Sequence, residues 1–288
     1  MGSPLQGRNA LITGASRGLG LETACQLAGA GANLALLARD AVTLKAAGER
    51  VGALRRDPAQ VVRTYICDLG DQSQVAARTA SCLDDFGAFE ILVNSAAIQG
   101  PIGELPSVDW DAWRAVFQVN LFAAALLCRL LIPPMRKRGR GKIINLSGGG
   151  ATGPRANLSA YAAAKTALVR LSETLAEELR GSGIDVNSVA PGAMNTRMLD
   201  ELIAAGPAGA PREYAQALER AKTGGSPPAR AAELVVWLAS PESDGITGRL
   251  ISAVWDDWRS LGERRPDLAK TDVFTLRRIA PKDRGLPW

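Results

Sequence analysis

The stretch Leu11-Ile12-Thr13-Gly14-Ala15-Ser16-Arg17-Gly18-Leu19-Gly20 joins a short apolar run to the start of an amphipathic one. It reads as the end of a strand turning into a helix. Gly14 permits a tight turn, and Gly18 and Gly20 let the backbone approach a phosphate that the helix N-terminus can bind. A glycine triplet alone marks many ordinary turns, so its weight comes from the strand before it and the helix after it. The same alternation continues outward from this point. Apolar runs predict strands near 9–13, 33–38, 61–66, 90–94, 141–147, 184–189 and 249–253. Longer amphipathic runs predict helices near 18–30, 40–56, 71–86, 109–137, 159–180 and 228–239. This rhythm implies an α/β fold, a doubly wound sheet of about seven parallel strands with helices on both faces. Ligands of such sheets bind at the carboxyl ends of the strands.

Two segments break the rhythm. Residues 193–226, rich in Ala, Gly and Pro, are expected to form either a mobile lid at the carboxyl edge or a rigid surface helix. Residues 1–253 are expected to form the main domain. Residues 254–288 would be an extension carrying Trp255, Trp258, Phe274 and Trp288, with a basic end at Arg277, Arg278, Lys282 and Arg284. Free tails rarely carry three tryptophans, so this one should pack on the body or on a partner subunit.

Composition narrows the chemistry. With 47% hydrophobic and 22% charged residues the chain is an ordinary globular protein, and its net charge of +5 comes without a basic stripe interleaved with aromatics. No nucleic-acid partner is expected. The chain contains no histidine, which excludes Ser-His-Asp and Cys-His nucleophiles and histidine-ligated metals. Cys25, Cys67, Cys82 and Cys128 have no metal or redox spacing, so no metal site is expected and reduced thiols suit a cytoplasmic protein. The first residues lack the apolar core of a signal peptide, and Leu121 to Leu131 is interrupted by Arg129 and short for a bilayer. No membrane partner is expected.

Tyr161 and Lys165 lie four residues apart in Ser-Ala-Tyr-Ala-Ala-Ala-Lys, which stacks them on one helix face. An ammonium beside a phenol would lower the phenol's pKa and suit it to proton transfer near neutral pH. The plainer alternative is an ordinary helix face that happens to carry one Tyr and one Lys.

These motifs together resemble the short-chain dehydrogenase/reductase family, of the common single-domain kind with a Rossmann-type sheet. Thr13, Gly14, Gly18 and Gly20 match its glycine motif, Asp68-Leu69 the pair at the adenine ring, and Asn94-Ser95-Ala96-Ala97 the stretch after the fourth strand. Tyr161 and Lys165 fill its Tyr-xxx-Lys motif, and Pro191-Gly192 stands where its nicotinamide loop begins. The match runs in register over roughly residues 7–253. The resemblance implies cofactor contacts at Gly14, Ser16, Arg17, Gly18, Leu19, Gly20, Arg39, Asp68, Leu69, Asn94, Ala96, Tyr161, Lys165, Pro191, Gly192, Met194 and Thr196. It also implies that Tyr161 exchanges the proton, that Lys165 holds the nicotinamide ribose, and that Asn120 positions a relay water.

The family's catalytic serine, thirteen residues before the tyrosine, is here Gly148, with Ser147 one residue early. Neighbouring strand residues point to opposite faces, so the offset matters unless Gly148-Gly149-Gly150 bends the chain. Three readings stand open: Ser147 swings into the site, loop amides or a water replace it, or the chemistry is impaired and the protein serves as a cofactor-binding regulator. Cofactor choice is argued from charge. Ala38 stands where an NAD-type acid is expected, and Arg39 with Arg17 can clamp a ribose phosphate, so NADP(H) is expected to be preferred over NAD(H). The expected activity is interconversion of a carbonyl and an alcohol by hydride transfer. The substrate should lie among Gln99, residues 147–150, Tyr161 and 193–226. These are read as carrying few fixed charges apart from Arg197, so a neutral or weakly polar small molecule is expected. The helices at 109–137 and 159–180 are where relatives commonly pair, which implies a homodimer or homotetramer.

Overall fold

The computed structural model describes residues 3–288. Seven strands form one parallel sheet: β1 (Asn9–Thr13), β2 (Asn33–Ala38), β3 (Val62–Ile66), β4 (Ile91–Asn94), β5 (Gly141–Leu146), β6 (Ile184–Ala190) and β7 (Leu250–Ser252). Their spatial order is β3-β2-β1-β4-β5-β6-β7, every pairing parallel. The order reverses between β1 and β4, which opens a crevice at their carboxyl ends.

Both faces of the sheet are covered, so the central strands are almost wholly apolar rather than alternating. Ala10 and Ile12 face a core shared with α1 (Gly18–Gly29), α2 (Ala41–Gly52) and α9 (Pro228–Ala239). Leu11, between them, faces the opposite core, shared with α3 (Gln72–Phe86), α5 (Ala123–Arg138) and α6 (Ser159–Glu178). α4 (Trp110–Phe117) runs into α5 through one wider turn at 118–122, where the Ala123 N–H bonds back to the Gln118 carbonyl. By length and composition the stretch Trp110–Arg138 could cross a bilayer. Its inner face instead supplies Leu127, Leu131 and Met135 to the core, as a central helix of an α/β protein does.

The expected fold and element order are present, and the boundaries move where local chemistry intervenes. The helix expected to run to residue 56 ends at Gly52, whose carbonyl accepts the Arg55 Nε at 2.9 Å. Residues 193–226 contain two helices, α7 (Arg197–Gly209) and α8 (Pro211–Thr223), where a lid or a single surface helix was expected. Gly206, with φ 71°, breaks the first of them, and Leu199, Leu202 and Ala217 close a small core against Leu158. In the extension, α10 (Arg265–Lys270) and its flanks lie along the β7 edge. The Leu250 N–H donates to the Phe274 carbonyl at 2.8 Å, and Arg249 donates to the carbonyls of Thr271 and Val273. This pairing covers a sheet edge that would otherwise be open. Of the tail tryptophans only Trp258 is buried, against Trp237; Trp255 and Trp288 are exposed. The basic end is partly neutralised, because Arg277 pairs with Asp272 and Asp283 at 2.8 Å.

Candidate active site

A single cavity of about 1390 Å³ runs along the carboxyl ends of the strands, from Arg39 at one end past Tyr161 to α8 at the other. Its first wall is backbone. Gly14 has φ 67°, and a Cβ there would sit 2.8 Å from the Ala96 Cα. A Cβ on Gly20 would run into the Gly14 carbonyl oxygen. Thr13 Oγ1 accepts the N–H groups of Ser95 (3.0 Å) and Ala96 (3.1 Å), tying the β1 turn to the loop after β4. Asp40, Asp71 and Asp109 cap α2, α3 and α4 with their carboxylates, whereas Arg17 at the start of α1 makes no side-chain cap. The first-turn donors of α1 are thus left to a ligand, and a phosphate is the group that suits them. Ser16, Arg17, Gly18 and Leu19 line this part of the cavity.

Farther along β2 and β3, Ala38, Arg39, Asp68 and Leu69 reach the same cavity. The one acid close to the arginines, Asp40, is engaged elsewhere. Its carboxylate accepts the Thr43 N–H at 2.8 Å and the Thr43 hydroxyl at 2.7 Å, which hold its pKa below the usual range, with Arg17 and Arg39 adding to the shift. A glycine-shaped cradle, uncapped helix donors and an arginine pair together fit a dinucleotide.

The second wall carries side chains. Ser147, Gly148, Tyr161 and Lys165 line it, with Pro191, Gly192, Met194 and Thr196 from the loop after β6. Ser147 Oγ is buried and has no hydrogen-bond partner among the described residues, which leaves its bonding capacity unused. A Cβ on Gly148 would lie 2.4 Å from the Tyr161 hydroxyl, so the glycine leaves the space that the phenol approaches. Lys165 Nζ donates to the Leu146 carbonyl at 2.6 Å and lies 5.9 Å from the centre of the Tyr161 ring.

The electrostatics differ from the sequence expectation. Burial pushes the Tyr161 phenol above its ordinary value, and the charge opposing this is that of Arg155, not Lys165. Lys165 is itself pushed down to about 8 by burial. The expectation that Lys165 acidifies Tyr161 therefore fails for the protein alone. Both groups are desolvated, and the ammonium is directed at a carbonyl.

Two expected site residues are held away from the cavity by their side chains. Asn94 Nδ2 donates to Asn145 Oδ1 at 2.8 Å, inside the sheet. Asn120 uses both ends of its amide on Ile98, each at 2.9 Å, latching the loop after β4 to the wider turn at 118–122. The sequence reading also missed residues. Asn145 donates to Ser172, which accepts as well from Ser188, so a buried polar chain ties α6, and with it Tyr161 and Lys165, to β5 and β6. Arg155, Arg212, Glu213 and Arg220 also line the cavity near Tyr161, which overturns the expectation that this region carries little charge beyond Arg197. Polar residues within core strands were the available signal for the first set. For the second there was only the arginine content of 193–226.

Comparison with known proteins agrees with this geometry. The family model for short chain dehydrogenase matches residues 8–205. A short chain dehydrogenase/reductase of Aspergillus oryzae is 32% identical over 253 residues, covering 86% of this chain and 94% of that protein. The structure of an NAD+-bound xylitol dehydrogenase superposes with a TM-score of 0.77 at 26% identity, covering 86% of this chain and 98% of that one. A metagenomic short-chain oxidoreductase in complex with NADP gives 0.67 at 32% identity, covering 82% and 92%. The chain belongs to the short-chain dehydrogenase/reductase family. It is accordingly an NAD(P)-dependent oxidoreductase.

Proposed function

We propose that this protein is an NADP(H)-dependent reductase that interconverts a carbonyl and an alcohol, with Tyr161 as the general acid and base. The observation carrying this reading is that Tyr161, Ser147 and Lys165 line the same cavity as the glycine cradle, with the Ser147 hydroxyl left without a partner. The nicotinamide of the bound cofactor supplies or accepts the hydride. Tyr161 Oη would pass its proton to the substrate oxygen. Burial keeps the phenol protonated at neutral pH, which suits a donor in carbonyl reduction. Ser147 Oγ would donate a second hydrogen bond to the same oxygen, and Lys165 would meet the nicotinamide ribose. Arg39 and Arg17 support a preference for NADP(H), because Asp40 is engaged by Thr43. The exposed Trp110 and Phe122 on the Trp110–Arg138 helix support pairing of copies as a homodimer or homotetramer.

The test is reduction of a panel of ketones and aldehydes with NADPH, followed by nicotinamide absorbance. Tyr161→Phe should lower turnover about 10²–10⁴-fold while leaving NADPH binding in place. Arg39→Ala should weaken NADPH binding at least about tenfold and NADH binding little, the difference expected from one charge-assisted contact. Equal affinity for both cofactors, unchanged by Arg39→Ala, would end the preference. A second reading, a cofactor-binding regulator with impaired chemistry, is favoured by Gly148. It would show as tight NADPH binding with no Tyr161-dependent turnover of any carbonyl.

A further inference from the structure

Beyond Tyr161 the cavity wall is assembled from the loop after β5 and from α8, segments about sixty residues apart in sequence. Arg155 Nε donates to Glu213 Oε1 at 3.0 Å and its terminal nitrogen donates to Oε2, a two-pronged pair with both side chains largely buried. The same guanidinium lies 5.9 Å from the centre of the Tyr161 ring, so this charged cluster adjoins the phenol. Seven residues on from Glu213, and therefore on the same face of α8, Arg220 also lines the cavity, with Arg212 nearer its mouth.

The charges do not balance. Glu213 is matched by Arg155, and Glu201 is matched by Arg197 at 2.8 Å. Neither Arg212 nor Arg220 has a carboxylate within ion-pair distance among the described residues. Arg220 is half-buried, and its burial together with the neighbouring Arg155 lowers its pKa from the ordinary value. A guanidinium partly withdrawn from water, whose neighbouring carboxylate Glu213 opposes the shift but is already paired to Arg155, is a costly arrangement, relieved by an incoming carboxylate that takes two parallel hydrogen bonds.

We propose that the substrate is an oxo acid, whose carbonyl oxygen meets Tyr161 and whose carboxylate is taken by Arg220, with Arg212 drawing the anion in at the mouth. Arg155 and Glu213 are positioning residues, holding α8 against the loop after β5 so that Arg220 faces the cavity. This deepens the reductase reading and rests on it. In the reaction the carbonyl carbon gains a hydride from the reduced nicotinamide and the oxygen gains the Tyr161 proton. The C=O π bond is lost, the cofactor is oxidised, and the carboxylate emerges unchanged on a hydroxy acid.

Binding tests this separately from turnover. The protein saturated with NADP+ is titrated in a calorimeter with acetoacetate and levulinate, acids of two chain lengths, and with their methyl esters, which keep the shape and lose the charge. At least one acid should bind about tenfold or more tightly than its ester. Arg220→Gln should erase most of that difference and leave NADP+ affinity unchanged. Raised salt should narrow the gap as well. If both esters bind as well as their acids, or if Arg220→Gln retains the preference, the inference is wrong. Tyr161-dependent reduction of neutral ketones alongside equal binding of acid and ester would discard the oxo acid and keep the reductase. Arg220-dependent acid binding with no carbonyl reduced would keep the anion site and discard the reductase.

Discussion

At the β1–α1 turn the cavity wall is backbone, set by glycines within seven residues of one another, whereas beyond Tyr161 it is charged side chains drawn from three separate segments. The first wall is rigid because its atoms are already crowded, as at Gly20 against Gly14. The second is held by ion pairs and carries a hydroxyl, that of Ser147, which bonds nothing in the protein. A cofactor shared by a whole family can be met by fixed backbone. A substrate peculiar to one member needs side chains that can change without unfolding the sheet.

The sharpest way to break this contrast is to remove one atom from the second wall's chemistry. Ser147→Ala deletes a hydroxyl that bonds nothing in the protein, so folding stability should be unchanged. If that hydroxyl steadies the substrate oxygen, kcat should fall about 10²–10³-fold, as on losing one oxyanion donor. Unchanged turnover in Ser147→Ala, with Tyr161→Phe inactive, would transfer the role to the amides of the Gly148–Gly150 loop.

Adding an atom probes the other wall. Gly20→Ala drives a methyl group into the Gly14 carbonyl oxygen, which belongs to backbone and yields only by distorting the cradle. Strain of about 1–3 kcal/mol should appear as NADPH binding weakened roughly 10–100-fold in a fluorescence titration. Gly149→Ala is the counterpart in the second wall, since nothing lies within 4 Å of its added Cβ. Its cofactor affinity and melting temperature should match those of the unaltered protein. Equal damage from the two alanines would erase the distinction between crowded backbone and adaptable side chains.

The first wall was legible in the sequence because it is local. Thr13 to Gly20 carries its own turn, its own helix start and its own steric signature. The sheet was legible for a similar reason: each apolar run is bounded by glycine or polar turns. The second wall was not, because Arg155 and Glu213 meet only through the folding of residues 193–226 into α7 and α8. Asn94 and Asn120 stand at the expected positions, yet whether an amide faces a cavity or a neighbouring backbone depends on packing that no spacing encodes. The Tyr161–Lys165 spacing predicted proximity correctly, but not that burial would dominate the phenol's shift. Desolvation depends on burial, and the sequence does not report how deeply a helix face is buried.

That desolvation leads to the smallest of the expected effects, on stability rather than rate. Lys165 is 1% exposed and its pKa is about 8, against an ordinary 10.5. Below pH 8 the folded and unfolded states both carry the ammonium, and the folded state bears its full burial cost. Between about 8 and 10.5 the unfolded chain binds more protons than the folded one, so stability rises with pH through that window. Lys165→Met removes the charge and keeps the stem. The variant should be more stable than the unaltered protein by about 1–2 kcal/mol at pH 7, less than the full desolvation cost because the Leu146 carbonyl loses its donor. That margin, measured by urea denaturation without cofactor, should shrink as pH rises from 8 towards 10.5, while turnover is lost at every pH. A margin independent of pH would mean that Lys165 is not desolvated, and the second wall would then carry no stored cost at this lysine.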